Sequence, residues 1–312
     1  MTAFAFVFPG QGSQSVGMLD AWGDHLAVRH TLEEASQALS EDVAQLIRVG
    51  PKEALDLTTN TQPVMLTAAI ACYRAWLAEG GAQPAAVAGH SLGEYSALVA
   101  AGSLTLADAL PLVRFRAQAM QEAVPVGQGA MAAILGLDAA VVRDTCAAVA
   151  LETGEVVEPA NFNDPKQTVI AGSKVGVDRA CERLKTQGAK RALLLAVSAP
   201  FHSSLMKPAA DALRERLQTV TVKSPQIAVV NNIDVAVQTE PGAIRDALVR
   251  QAFGPVRWVE VTQALRARGL THVVECGPGK VLAGLVKRVD AEIQSTTVLD
   301  PASLAAAKEM LA

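Results

Sequence analysis

The sequence predicts an α/β fold: a mostly parallel sheet with helices on both faces, plus an inserted βαββαβ subdomain. Three observations predict it. Short apolar runs alternate with helical segments over most of the 312 residues, the pattern of strands buried between layers of helices. Two of these runs end in glycine-rich turns that open straight into a helix. Between 127 and 198 the order becomes β-α-β-β-α-β, the ferredoxin-like unit.

In chain order, residues 3–8 are an apolar run closed by Pro9-Gly10, a buried strand and its turn. Residues 17–80 read as helical, most clearly 61–79, where Pro63 lies near the start and Gly80-Gly81 past the end. A second strand, 85–88, runs into Gly89-His90-Ser91-Leu92-Gly93 and is followed by helices over 94–101 and 105–123. In the insertion, 130–137 reads as strand and 138–151 as a helix capped by Asp138. Strands over 156–161 and 168–171 flank an Asn-Asp-Pro turn; a helix spans 175–187 and a strand 191–197. Beyond 200 come a helix over 205–220, a strand at 227–231 and helices near 242–253 and 259–267. A strand at 271–275 leads to Gly277-Pro278-Gly279 and a helix from Lys280. The last strand, 296–299, precedes a helix with Asp300 as cap and Pro301 first. The expected division is a large unit, 1–126 and 199–312, and a small one, 127–198.

Composition narrows the function classes. Half the residues are hydrophobic and 19% charged, enough for a large core and too apolar for a disordered chain. With 27 Lys and Arg against 31 Asp and Glu, the net charge of −4 argues against a nucleic-acid binder, and 4% aromatics supply no base-stacking platform. The four cysteines, Cys72, Cys146, Cys181 and Cys276, are far apart and form no metal or disulfide pattern. No apolar run approaches the roughly 18 residues of a membrane span, and no Lys or Arg precedes Arg29, which speaks against a signal peptide. The expectation is a cytoplasmic protein with no membrane or nucleic-acid partner.

The strongest chemical signal is the 89–93 turn, which matches G-x-S-x-G between a strand and a helix. A sharp turn there lifts the serine oxygen clear of the sheet, and the helix N-terminus that follows favours a developing oxyanion. Ser91 is therefore the candidate nucleophile. Of the five histidines, His202 in Ala199-Pro200-Phe201-His202-Ser203-Ser204 lies just past a strand end, where open α/β sheets place function; it is the candidate base. His90 should point away from the serine oxygen. No Asp or Glu between Ser91 and His202 stands at a main-sheet strand end, so a carbonyl or amide is expected to fix the imidazole. An esterase or thioesterase, the rival reading, would call for a carboxylate there. The loop in Phe8-Pro9-Gly10-Gln11-Gly12-Ser13-Gln14 lacks the third glycine of a dinucleotide loop but suits a backbone N–H facing an oxyanion.

Four segments in order, FPGQGSQ, GHSLGEYSAL, APFHSSLMKPA and ECGPGKVLAGL, strongly resemble the malonyl-CoA:acyl-carrier-protein transacylases of bacterial type II fatty-acid synthesis, over essentially the whole chain. The resemblance implies a hydrolase-like large subdomain with a ferredoxin-like insertion. It implies Ser91 as acylated nucleophile, His202 as base, and the backbone N–H groups of Gln11 and Leu92 as oxyanion hole. Arg116 falls where the family binds the substrate carboxylate, Gln251 where it helps hold the histidine, and Asn161 and Asn163 in a segment lining the cleft. Without the resemblance, Arg114 and Arg116 could not be told apart. The implied partners are malonyl-CoA and acyl carrier protein, with ping-pong transfer by a monomer. No metal and no cofactor is expected, the CoA thioester and the carrier's phosphopantetheine being substrates.

Overall fold

The computed structural model describes residues 2–197 and 199–312. Ser198, the last residue of the expected insertion, lies outside the described residues. Five strands, β1 (Phe4–Phe8), β2 (Ala86–Gly89), β7 (Ala228–Val230), β8 (His272–Cys276) and β9 (Gln294–Val298), form one sheet in the order β7-β2-β1-β8-β9. Every pairing in it is parallel. Such a sheet needs both faces covered, and β1 shows how the sequence supplies this: all five residues are buried. Phe4, Phe6 and Phe8 meet Tyr73 and Trp76 of the helix Thr58–Ala78, mostly edge to face. Ala5 and Val7 pack on the opposite side with Val261, Leu265 and Leu285.

That long helix starts three residues before the expected position. The N–H groups of Asn60 and Thr61 both reach the carbonyl of Leu57 at 2.7 Å, so the first turn forms upstream of Pro63 and the proline sits in the second. The four cysteines are free and buried. Among the described residues no helix is long and apolar enough to cross a membrane.

The second sheet comprises β3 (Gly129–Leu135), β4 (Val157–Asp164), β5 (Gln167–Ser173) and β6 (Arg191–Leu194), antiparallel throughout in the order β4-β5-β3-β6. The helices Ala139–Thr153 and Lys174–Thr186 cover one face. Two local expectations are corrected. Asp138 precedes its helix but caps nothing with its side chain, because Lys166 Nζ takes the carboxylate at 2.8 Å. Strand β6 ends at Leu194 rather than 197; one further bond, Leu195 N–H to Met131 O at 2.9 Å, follows before the chain turns back to the large sheet. Strand β4 is fastened to the segment around Val256 by Phe162 N–H to Val256 O and Val256 N–H to Ala160 O, both 2.9 Å.

Strands β1 and β2 run in register with Phe8 opposite Gly89, so the loops that leave them emerge side by side. The N–H of His90 donates to Phe8 O at 3.0 Å. A β-carbon on Gly93 would lie 2.0 Å from that carbonyl oxygen, and one on Gly89 would lie 1.9 Å from the Gly93 carbonyl carbon. Backbone cannot yield as a flexible side chain can. Gly93→Ala should therefore cost about 3 kcal/mol, at the upper end of overpacking penalties, measured as a lowered urea midpoint; a loss under about 1 kcal/mol would show that the elbow can open.

Candidate active site

Ser91 stands between β2 and the helix Gly93–Ala100 with φ of +52°, a left-handed conformation that a non-glycine residue adopts only under constraint. Three polar contacts hold it. Its N–H donates to Asn232 Oδ1 at 2.8 Å, Asn232 Nδ2 donates to Gly89 O at 2.7 Å, and Gln251 Nε2 donates to Ser91 O at 3.0 Å. The strain of the elbow is thus braced by two carboxamides from distant parts of the chain.

Ser91 Oγ lies 2.7 Å from His202 Nε2. His202, also in a left-handed conformation at φ +62°, places Nδ1 at 2.9 Å from Gln251 O and 3.2 Å from Gly254 O. Carbonyl oxygens only accept, so Nδ1 carries the proton and Nε2 offers its lone pair to the serine hydroxyl. Among the described residues, no carboxylate bonds to this ring. Burial brings the imidazole's pKa down to about 3, the Arg116 charge adding to the effect and the two carbonyls opposing it. The ring is neutral at physiological pH, the form a base requires.

Arg116, from the helix Leu106–Glu122, is only 2% exposed. Its Nη1 donates to Gln62 Oε1 at 2.8 Å, and its Nη2 to Gln251 Oε1 at 3.1 Å and Ser91 Oγ at 3.2 Å. The guanidinium carbon sits 5.5 Å from the Tyr95 ring centre. Its hydrogen-bond partners are all uncharged, and no ion pair reaches it among the described residues. Arg114, by contrast, pairs with Glu41 through two bonds of 2.7 Å. The structure therefore separates the two arginines that the sequence left alike.

Gln11 follows β1, its side chain accepting from Gln62 Nε2 at 3.2 Å and donating to Thr58 Oγ1 at 3.3 Å. Among the described residues, the backbone N–H of neither Gln11 nor Leu92 donates to another protein group. A cavity of about 800 Å³ opens beside His202, walled by Pro159, Phe162, Ser204, Phe253 and Val259. Phe162 reaches it, whereas its neighbours Asn161 and Asn163 are not among its walls. Asn163 Oδ1 instead meets His90 Nε2 at 2.8 Å, holding that ring against Trp258 and away from the serine; Asn161 contributes a main-chain bridge to Val256. A larger hollow near Asp20, Arg29 and Glu41 contains none of these groups. Among the described residues, no three His, Cys, Asp or Glu side chains cluster as metal ligands would.

Sequence reasoning missed Gln62, Glu94 and Asn232. Each is a buried polar residue in or beside an apolar segment, and that mismatch was the available signal. Burial pushes the Glu94 carboxyl up to about 7.

The sequence model of the acyl transferase domain matches residues 5–302. The malonyl CoA-acyl carrier protein transacylase of Escherichia coli K12 is 52% identical over 311 residues, covering 99% of this chain and all of that protein. The one from Bacillus subtilis is 46% identical over 312 residues, covering 100% and 98%. The crystal structure of the acyl-carrier-protein S-malonyltransferase from Burkholderia pseudomallei is 66% identical, superposes with a TM-score of 0.97, and is covered completely by 99% of this chain. A malonyl-transacylase solved in complex with a type II polyketide acyl carrier protein is 48% identical, with a TM-score of 0.96 and coverage of 99% and 100%.

The neutral imidazole gives a spectroscopic expectation. Side-chain nitrogen signals of His202 should stay unchanged as pH falls from 8 to 5, whereas an ordinary histidine titrates near 6.5. A His202 midpoint at its ordinary value would show that the ring is not desolvated.

Proposed function

Because the chain belongs to the acyl transferase family, and is thus an acyltransferase, we propose that it moves malonyl from malonyl-CoA to the phosphopantetheine thiol of acyl carrier protein. The observation that carries this reading is the placement of a buried arginine, with only neutral hydrogen-bond partners, 3.2 Å from the oxygen of a serine–histidine pair. A site so arranged attracts an acyl group with a free anionic end. A guanidinium pairs a carboxylate through two parallel N–H···O bonds, and Arg116 still has its full charge to offer.

In the proposed course, Ser91 Oγ attacks the thioester carbonyl as its proton passes to His202 Nε2. The tetrahedral oxyanion accepts from the N–H groups of Gln11 and Leu92, at the N-terminus of the helix Gly93–Ala100. One donor of this kind is worth about 3–4 kcal/mol of barrier. Collapse breaks the C–S bond, and CoA leaves as the thiol with the proton from His202. The carrier's thiol then gives its proton to His202, attacks the malonyl-serine, and collapse returns the proton to Ser91 Oγ. Two substrates meeting one covalent intermediate in turn gives ping-pong kinetics.

The electrostatics couple binding to chemistry. In the empty site the Arg116 charge disfavours an imidazolium at His202. A malonyl carboxylate on Arg116 offsets that charge, so the correct substrate makes the base stronger at the moment of use. Gln251 supports the imidazole through its main-chain carbonyl and the arginine through its side chain. Residues 127–198 supply, through β4, one wall of the cavity that would admit the pantetheine arm. Every group in the scheme lies within one protomer, so a monomer suffices for the chemistry, and both substrates are water-soluble, as action in the cytoplasm requires. All proton transfers run through His202, so the scheme calls for no cofactor.

Intact-mass measurement tests the course directly. One malonyl group should appear on Ser91 after malonyl-CoA is added and vanish when holo-carrier protein follows; Ser91→Ala should acquire none. Free malonate released without carrier would instead indicate a thioesterase. For selectivity, Arg116→Ala should lower malonyl transfer by about a thousandfold, in line with removing one partner of a buried charge pair, while acetyl transfer falls less than about tenfold. Equal losses on the two acyl groups would remove the carboxylate-binding role.

A further inference from the structure

Glu94 touches neither Ser91 Oγ nor His202, yet its side chain braces the residues that position both. It lies one turn beyond the nucleophile on the helix Gly93–Ala100, 2% exposed. A single oxygen, Oε2, accepts from Asn232 N–H at 2.8 Å and from Gln251 Nε2 at 3.0 Å. Asn232 in turn braces the elbow at Ser91 N–H and Gly89 O. Gln251 receives His202 Nδ1 on its main-chain carbonyl and Arg116 on Oε1.

We propose that Glu94 is the positioning residue of this site, its Oε2 fixing the Gln251 carboxamide and the Asn232 backbone so that nucleophile, base and arginine share one alignment. The argument follows from what a carboxamide can do. The two ends of a Gln side chain differ only in hydrogen bonding, and a half-turn would point NH₂ at Arg116, donor against donor. Two acceptors, Ser91 O and Glu94 Oε2, hold the NH₂ end where it is. Ser91 O belongs to the strained elbow that Gln251 is itself supporting, so Glu94 is the independent anchor. What the geometry requires of Glu94 is an accepting oxygen, which either protonation state provides. This fits a carboxyl that burial pushes up to about 7.

The inference rests on the serine–histidine reading of the site, so the test uses a reagent indifferent to the natural acyl group. Diisopropyl fluorophosphate modifies a serine activated by its base. In the full chain, Glu94→Ala should slow modification of Ser91 about tenfold or more, the scale expected when buried donors lose their acceptor. Glu94→Gln keeps an accepting oxygen and should recover the rate to within about threefold of wild type. For Glu94→Gln, kcat with malonyl-CoA should likewise recover to within about threefold of wild type, with KM and melting temperature unchanged. Should Glu94→Ala fail to fold, Glu94→Met fills the space without an acceptor and takes its place. Wild-type reactivity in the variant lacking the acceptor would overturn the proposal, as would Glu94→Gln falling as far as that variant. An unreactive wild-type Ser91 would overturn the serine–histidine reading itself, a different failure.

Discussion

The carbonyl oxygen of Phe8 accepts the His90 N–H and occupies the space a β-carbon on Gly93 would need. This contact between the loops leaving β1 and β2 sets where everything else can stand. It accompanies the left-handed conformation of Ser91 and holds the start of the helix Gly93–Ala100 against the ends of both strands. The aromatic face of β1 makes the contact rigid, because Phe8 is buried against Tyr73 and its backbone cannot recede. Packing density at the sheet is thereby converted into placement of one hydroxyl.

Around that hydroxyl, charge is used sparingly. The imidazole is kept neutral by burial and oriented by carbonyls. The guanidinium is oriented by carboxamide oxygens, which fix its direction without cancelling its charge. Gln62 and Gln251 differ here from Glu, since a carboxylate in either position would cancel the charge that Arg116 keeps. The buried acid Glu94 is held a residue away from the arginine with Gln251 between them.

The turn that carries Ser91 is legible because steric exclusion is written in the sequence as glycine: Gly89 and Gly93 admit no other side chain, and the strand and helix beside them are equally plain. His202 was read from a strand end at 197, but β6 ends at Leu194 in the antiparallel sheet, and what sets the ring is its contact with Ser91 and the two carbonyls. The arginines were not legible. Two residues apart on a helix means about 200° around its axis, and which of the two faces inward depends on how the helix sits against Tyr95, a tertiary fact. Asn232 and Gln62 act on residues 141 and 54 positions away, and no local pattern announces a carboxamide that works at such range. The cap expected of Asp138 failed for the same reason, since its carboxylate pairs with Lys166 of the β4–β5 turn, 28 positions away. The expected strand ended at Asn161 with Asn163 in the turn, whereas β4 runs on to Asp164, and of the residues 161–163 Phe162 reaches the cavity.

The fastening of β4 to Val256 also has a mechanical side. Val256 lies two residues beyond Gly254, whose carbonyl shares the His202 Nδ1 proton, and both β4 bonds end on Val256. Any load that swings the smaller sheet outward is therefore delivered to the tether of the imidazole. Displacement of the smaller sheet and displacement of the His202 ring thus share one linkage, through Val256 and Gly254.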